Sequence, residues 1–282
     1  MPLEVCVLAS GSSANATYIC SGRTRLLVDC GLAARETVRR LAELSVDPRH
    51  LDGILVSHAH TDHFRSAGTM FAKYGAPVYT MPATEDAILG KAACGSFWRV
   101  RDCRPFPDSV GDISIETHDV PHGGGARDAG RPVGFIFESG KSRVGHVTDA
   151  GELPPQFVRA LRGVNALVIE ANYHRPIVQK KLRDPSFAAF WSYLKWVDGP
   201  TGHLSNEQCV EALKEILTDD TEAVFPAHLS ENHYNPRRDN NDFHLVSSAI
   251  ALLTAEMGLR PRICRTYRRE KTEGRKSEVA RC

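Results

Sequence analysis

The chain has 282 residues, with 35 Lys+Arg against 34 Asp+Glu, and 42% of its residues are hydrophobic and 24% charged. This ordinary globular balance excludes the disordered and fibrous classes, and a chain this long folds without needing a disulfide or metal staple. No apolar run approaches the ~18 residues of a membrane helix, and a formal net charge of +1 excludes a uniformly basic nucleic-acid coat, although nine basic residues face three acidic ones from Arg260 onward.

In chain order, Glu4–Ala9, Thr17–Cys20 and Arg25–Asp29 read as short strands divided by Ser, Gly and Asn turns. Ala34–Leu44 places Val38, Leu41 and Leu44 on one helical side. Gly53–Ser57 is a continuous apolar strand running straight into histidines, followed by helical patterns over Phe64–Tyr74 and Ala83–Ala92. Val110–Thr117, Val133–Glu138 and Arg143–Val147 return to strand, then Pro154–Leu161 reads as helix and Ala166–Glu170 as strand. The segment 173–201 interleaves Lys180, Lys181, Arg183 and Lys195 with Phe187, Phe190, Trp191, Tyr193 and Trp196. Such a mixture can stack and neutralise a nucleic-acid strand, but the spacing of Phe187, Phe190, Trp191 and Leu194 favours a core-facing helix. Asn206–Leu217 opens on Ser205 with Gln208 three residues later, a capping box. Ala223–Pro226 (strand), Phe243–Met257 (helix) and Arg262–Tyr267 (strand) complete the pattern.

No internal repeat or low-complexity linker divides the chain. Strands followed by helices in both halves predict an α/β (α+β) fold of two face-to-face sheets with helices outside, an αββα sandwich of four layers. One domain over 1–260 and a final strand with a basic tail over 261–282 are expected. The eight cysteines form no C-x-x-C pair, and several lie in apolar runs, so they read as reduced and buried. The N-terminus carries Glu4, no early Lys or Arg, and only a short apolar stretch, unlike a secretory signal. A cytoplasmic protein is expected.

The chemistry-bearing segment is His58-Ala59-His60-Thr61-Asp62-His63, directly after the apolar strand. Crowded imidazoles and a carboxylate are costly without a partner. On a strand His58 and His60 share a face, and imidazole with carboxylate suits zinc, or manganese or iron. Further candidates stand at other strand ends: His122 after Asp119-Val120-Pro121, Asp149 after Val147-Thr148, and His228 after Pro226-Ala227.

This series resembles the metallo-β-lactamase superfamily, whose members carry a His-x-His-x-Asp-His loop followed by a His, an Asp and a final His. The resemblance runs from about residue 3 to 235. It implies a metallo-β-lactamase αββα sandwich holding two divalent metal ions, zinc foremost. One ion would take His58, His60 and His122, the other Asp62, His63 and His228, with Asp149 bridging. Leu27-Val28-Asp29-Cys30-Gly31 looks like the superfamily's early structural Asp motif.

Gly202-His203-Leu204-Ser205-Asn206 and Val168-Ile169-Glu170-Ala171-Asn172 resemble loops of RNase Z-like and YycJ/WalJ-like nucleases. The resemblance makes His203 the phosphate contact or general acid, Glu170 its orienting partner, and Asp62 a catalytic residue as well as a ligand. Leu8-Ala9-Ser10-Gly11-Ser12-Ser13-Ala14-Asn15, Asp52–Ser57 and Ala227–Asn232 are closest to the YycJ-like group; the Ser/Gly loop can offer N–H groups to phosphate. Only 79 residues separate Asp149 from His228, which leaves no room for a β-CASP insertion, and no tRNA-gripping arm is visible. A dinuclear phosphodiesterase is expected, a DNA exonuclease of the YycJ type in which a bridging hydroxide attacks phosphorus. DNA is favoured over RNA, and no membrane partner is expected. The rival is a hydrolase of lactones, thioesters or other small carboxylic esters.

Overall fold

Alternation along the strands explains the layers. In the computed structural model, which describes residues 2–91, 103–125, 127–230, 239–266 and 280–281, β1 (Glu4–Ala9) turns Val5 and Val7 to one side and Cys6 and Leu8 to the other. The first pair joins a core between two sheets; the second packs beneath helices. β2 (Ala16–Cys20), β3 (Arg25–Val28), β4 (Gly53–Leu55) and β5 (Val78–Tyr79) extend this sheet, with α1 (Ala34–Glu43), α2 (Thr61–Phe64), α3 (Ala67–Tyr74) and α4 (Pro82–Leu89) between its strands or following them.

The second sheet comprises β6 (Ser109–Val110), β7 (Ile113–Asp119), β8 (Val133–Ser139), β9 (Ser142–Val147), β10 (Ala166–Glu170), β11 (Ala223–Ala227) and β12 (Arg262–Ile263). α5 (Pro155–Leu161), α8 (Asn206–Ile216) and α9 (Phe243–Glu256) cover its outer face through Leu161, Leu213, Ile216, Val246 and Ile250. Between β10 and α8 lie α6 (Arg175–Arg183) and α7 (Trp191–Val197). β13 (Ala280–Arg281) pairs antiparallel with β1, so the first sheet runs β13-β1-β2-β3-β4-β5 and the second β12-β11-β10-β9-β8-β7-β6. The expected αββα sandwich is present.

Val28, Leu55, Phe135, Val144, Val168 and Phe225 fill the space between the sheets. Because Ala166, Val168 and Glu170 share one face of β10, the carboxylate of Glu170 lies on the inter-sheet side, where that strand ends. The same logic puts Ser57 on the side of Leu55. The parallel strands β3 and β4 in one sheet and β9, β10 and β11 in the other therefore bring their C-terminal ends to one edge of the sandwich. That edge carries the chemistry.

Local expectations needed correction in four places. Val110–Thr117 is a hairpin, not one strand, with Val110 paired to Ile113 across Gly111-Asp112. Phe64–Tyr74 is interrupted at Arg65 and Ser66, where the Ser66 N–H donates to the Cys30 carbonyl at 2.9 Å. In the 173–201 segment only Leu194 of the four residues assigned to a core-facing helix is buried; it joins Tyr173, Val178 and Val197 in a small separate cluster. Cys264 is disulfide-bonded, whereas Cys20, Cys30 and Cys209 are free and buried as expected. Ala92, Glu231, Asn232, Tyr267 and the basic stretch 268–279 lie outside the described residues. Among the described residues no helix is long and apolar enough to cross a membrane.

Candidate metal centre

The His58–His63 loop leaves β4 and is locked by the loop after β3. Asp29, at φ 60°, accepts from the Ser57 N–H at 2.8 Å, from the Ser57 hydroxyl at 3.0 Å, and from His63 Nδ1 at 2.7 Å. Gly31 is required nearby, because a Cβ there would fall 1.6 Å from the Asp62 carbonyl oxygen. The Asn15 N–H donates to that same oxygen at 2.8 Å, tying the Ser/Gly loop to the histidine loop.

Hydrogen-bond partners assign the imidazole tautomers. His63 gives its Nδ1 proton to Asp29 and presents Nε2. His122 Nδ1 donates to the Gly202 carbonyl at 2.6 Å, which also frees Nε2. His58 Nδ1 lies 3.0 Å from the Ser57 hydroxyl, and His60 Nε2 donates to the Arg127 carbonyl at 3.4 Å, leaving His60 Nδ1 inward. The inward nitrogens converge: His58 Nε2 and His122 Nε2 lie 3.0 and 3.1 Å from His60 Nδ1. Nitrogens with no proton to share at that spacing need a common cation. Second partners of this type fix the ligand nitrogen in metal sites generally.

All seven expected ligands meet here. His58, His60, His122 and Asp149 offer atoms within 4.8 Å of one another, as do Asp62, His63 and His228. Asp149 touches both groups, with Oδ1 3.5 Å from His122 Nε2 and 3.4 Å from His228 Nε2, and Oδ2 3.0 Å from His63 Nε2. The Asp149 Oδ2 and His228 Nε2 atoms are buried and make no aligned hydrogen bond. Both have charged neighbours at ion-pair distance but lack a well-directed partner, which a cation between them would supply. The donor set of imidazole nitrogen and carboxylate oxygen fits divalent metal ions.

Charge divides the cluster. Burial pushes His58 and His60 below the ordinary histidine range and His122 down to about 4. Burial pulls His63 and His228 the same way, but carboxylates overcome it. Asp29, Asp149 and Asp62 hold His63 well above its usual value, and Asp149, Asp62 and Glu170 hold His228 at about 10. Asp149 is costly to bury, yet His228 and His63 keep it well below the carboxylate range. The acidic half of the site thus demands positive charge.

His203 and Glu170 stand beside the cluster as a pair. His203 Nδ1 donates to Glu170 Oε1 at 2.8 Å, while Glu170 Oε2 accepts from the Ala150 and Leu204 N–H groups at 2.7 and 3.2 Å. These two carboxylate oxygens are already claimed by nitrogen donors, so Glu170 is poorly placed to take a metal, although its atoms cluster with Asp149, His203 and His228. His203 keeps Nε2 for other work.

Several contributors escaped the sequence reading. Asn15 Nδ2 lies 3.2 Å from Asp62 Oδ2 and 2.9 Å from His63 Nε2. Ser10 accepts from the His228 N–H at 2.7 Å, so this Ser/Gly loop supports the ligands with side chains. Asn172 donates to the His228 carbonyl at 2.7 Å. All three lie in the segments that resemble YycJ-like or RNase Z-like loops, but nothing in the sequence gave their side chains a role.

Residues 24–229 match a family model described as a β-lactamase superfamily domain. The chain is 30% identical over 263 residues to the exodeoxyribonuclease YycJ of Bacillus anthracis, covering 92% of this chain and 91% of that one. It is 32% identical to the exodeoxyribonuclease WalJ of Streptococcus pneumoniae over 234 residues, 80% of this chain and 81% of WalJ. The crystal structure of the metallo-β-lactamase fold protein YhfI from Bacillus subtilis superposes with a TM-score of 0.64 at 17% identity, covering 95% and 97% of the two chains. With the layered sandwich and the histidine–aspartate edge already described, the chain belongs to the β-lactamase superfamily, in its YycJ/WalJ group, and is a hydrolase of the metallo-β-lactamase fold.

Proposed function

We propose that the protein is a dinuclear phosphodiesterase, acting as a DNA exonuclease as YycJ and WalJ are named for doing. The observation that carries this reading is the His203–Glu170 pair at 2.8 Å beside the two ligand groups. A carboxylic-ester hydrolase has less need of a second, carboxylate-oriented imidazole next to its metals.

In this reading His58, His60 and His122 would hold one ion and Asp62, His63 and His228 the other, with Asp149 available to both. Zinc is the foremost candidate, and manganese or iron fit the same donors. When bound, such a pair supplies Lewis acidity and activates water for attack on phosphorus. The chain's own groups do the rest. Asp62 and Asp149 balance the cationic charge. Glu170 accepts the Nδ1 proton of His203 and so aims Nε2. With Nε2 also protonated, the ring being then an imidazolium paired with the Glu170 carboxylate, it donates to a non-bridging oxygen or passes that second proton to the leaving oxygen. Asp29, Ser57 and Gly202 hold the ligand imidazoles in one tautomer each. The free Cys20, Cys30 and Cys209 fit a reducing cytoplasm, with the Cys264 disulfide a contrary feature.

The test is an assay of purified, metal-loaded protein on linear duplex DNA, single-stranded DNA, RNA and a lactone panel. Nucleotides released from DNA ends are expected. Rapid lactone opening without phosphodiester cleavage would overturn the proposal.

A further inference from the structure

Beside the metal centre the chain builds an arrangement that neither metal ligation nor the His203–Glu170 pair uses. The Arg127 guanidinium lies 4.5 Å from the centre of the Trp196 ring and 5.9 Å from that of Tyr193. The two rings, one helical turn apart on α7, are 6.0 Å apart. Trp196 in turn stands edge-on to His203 at 5.2 Å and 5.7 Å from His122. An unbroken run of flat groups therefore leads from the site outward: His203, Trp196, then Arg127 and Tyr193.

The backbone holds this run against the site. The Gly123 N–H donates to the Thr201 carbonyl at 2.9 Å. A Cβ on Gly202 would fall 2.0 Å from the Trp196 carbonyl oxygen. The same Gly202 accepts from His122, and the Arg127 carbonyl accepts from His60. The platform and the ligand imidazoles are thus fastened to the same two loops.

Chemistry points to the occupant. Arg127 is exposed, and its guanidinium makes no ion pair among the described residues. Tyr193 is 38% exposed. An uncompensated guanidinium on aromatic faces combines a phosphate partner with stacking surfaces, the two elements by which single strands are gripped. A small lactone or thioester offers neither group.

We propose that Arg127, Tyr193 and Trp196 form the subsite for the nucleotide flanking the cleaved phosphodiester. The Arg127 N–H groups meet a phosphate oxygen, the neighbouring base stacks against the guanidinium and Tyr193, and Trp196 positions Arg127. This rests on the phosphodiesterase reading and adds where the strand lies.

The test uses the full metal-loaded chain and its variants Arg127→Ala, Arg127→Lys and Tyr193→Ala, with metal content and melting temperature measured alongside. The substrates are an oligodeoxynucleotide, the same strand with an abasic terminal nucleotide, and methyl p-nitrophenyl phosphate. Arg127→Ala and Tyr193→Ala are expected to raise KM for the normal oligonucleotide roughly 10- to 100-fold, the scale of lost base stacking. The loss should be at least about tenfold smaller on methyl p-nitrophenyl phosphate, which lacks a base and a second phosphate. Arg127→Lys keeps the charge without the plane, so it should recover more activity on the abasic strand than on the normal one. Equal losses on all substrates, no loss, or loss of metal with the substitution would overturn the subsite. If the parent enzyme cleaves methyl p-nitrophenyl phosphate but no nucleic acid, the nuclease reading itself falls and the subsite loses its occupant.

Discussion

Asp29 Oδ2 and His63 Nδ1 lie 2.7 Å apart, both fully enclosed, and this contact sets which nitrogen of His63 faces the cluster. Asp29 touches none of the other ligand side chains that line the centre, yet it binds both ends of the segment Ser57–His63. Asp29→Asn should therefore leave the fold intact and weaken metal retention roughly 10- to 100-fold, as loss of an orienting carboxylate does elsewhere. Chelator competition with a metal indicator measures it; unchanged affinity would show that His63 is oriented without Asp29.

Asp149 reaches His63, His122 and His228 with one carboxylate. If it bridges, Asp149→Ala should lower occupancy from about two ions per chain at both positions together. Elemental analysis of protein purified without chelator reads this directly. Loss of a single ion would assign Asp149 to one position only.

His203→Ala separates chemistry from scaffolding. Both metals and a near-parental melting temperature should remain, while turnover falls roughly 10²- to 10⁴-fold, the range for acid–base or oxyanion contacts. Glu170→Gln should lose less, because it acts through His203, and the double variant should lose little more than His203→Ala alone. Parental DNA cleavage by His203→Ala would remove this imidazole from the reaction.

His146 lies between the sheets, 3.2 Å from the Thr17 hydroxyl, and burial pushes it from 6.5 down to about 4. A depressed folded-state value means that the unfolded chain takes up the proton first. Its contribution is complete above pH 6.5 and is lost as pH falls toward 4. For chelator-treated protein, His146→Gln should shrink the acid-side decline in unfolding free energy by as much as roughly 3 kcal/mol. Urea midpoints across that window test it, and parallel declines for both proteins would show His146 to be irrelevant.

Four of the candidate ligands were legible as the run His58–His63; His122, Asp149 and His228 stood at strand ends, and only the resemblance to the superfamily made them one set. β1 and β10 kept their expected bounds since both are continuous apolar runs with sharp polar limits. The 109–119 hairpin was missed because Gly111-Asp112 is a turn too short to interrupt the hydrophobic pattern. The 173–201 segment misled because its aromatic spacing is helical, while Asp184 caps a separate 3₁₀ turn over Pro185–Phe190 that rotates those rings away from a common face. Asn15 and Asn172 lay inside the nuclease-like loops without an assigned role, and Arg127 carried no signal. Their partners lie 47, 56 and 67 residues distant, and only tertiary packing creates the contact.

Three non-glycine residues hold left-handed backbone at the strand ends of the site: Asp29 at φ 60°, Asp149 at 58° and His228 at 54°. Each such conformation carries about 1–3 kcal/mol of strain that the surroundings must hold in place. Laboratory evolution of this chain for heat resistance alone should drift toward glycine or asparagine at those positions, since both relax the backbone there. Selection for turnover should resist the same changes. The positions where the two regimes disagree would trace the outline of the reaction centre without any substrate being known.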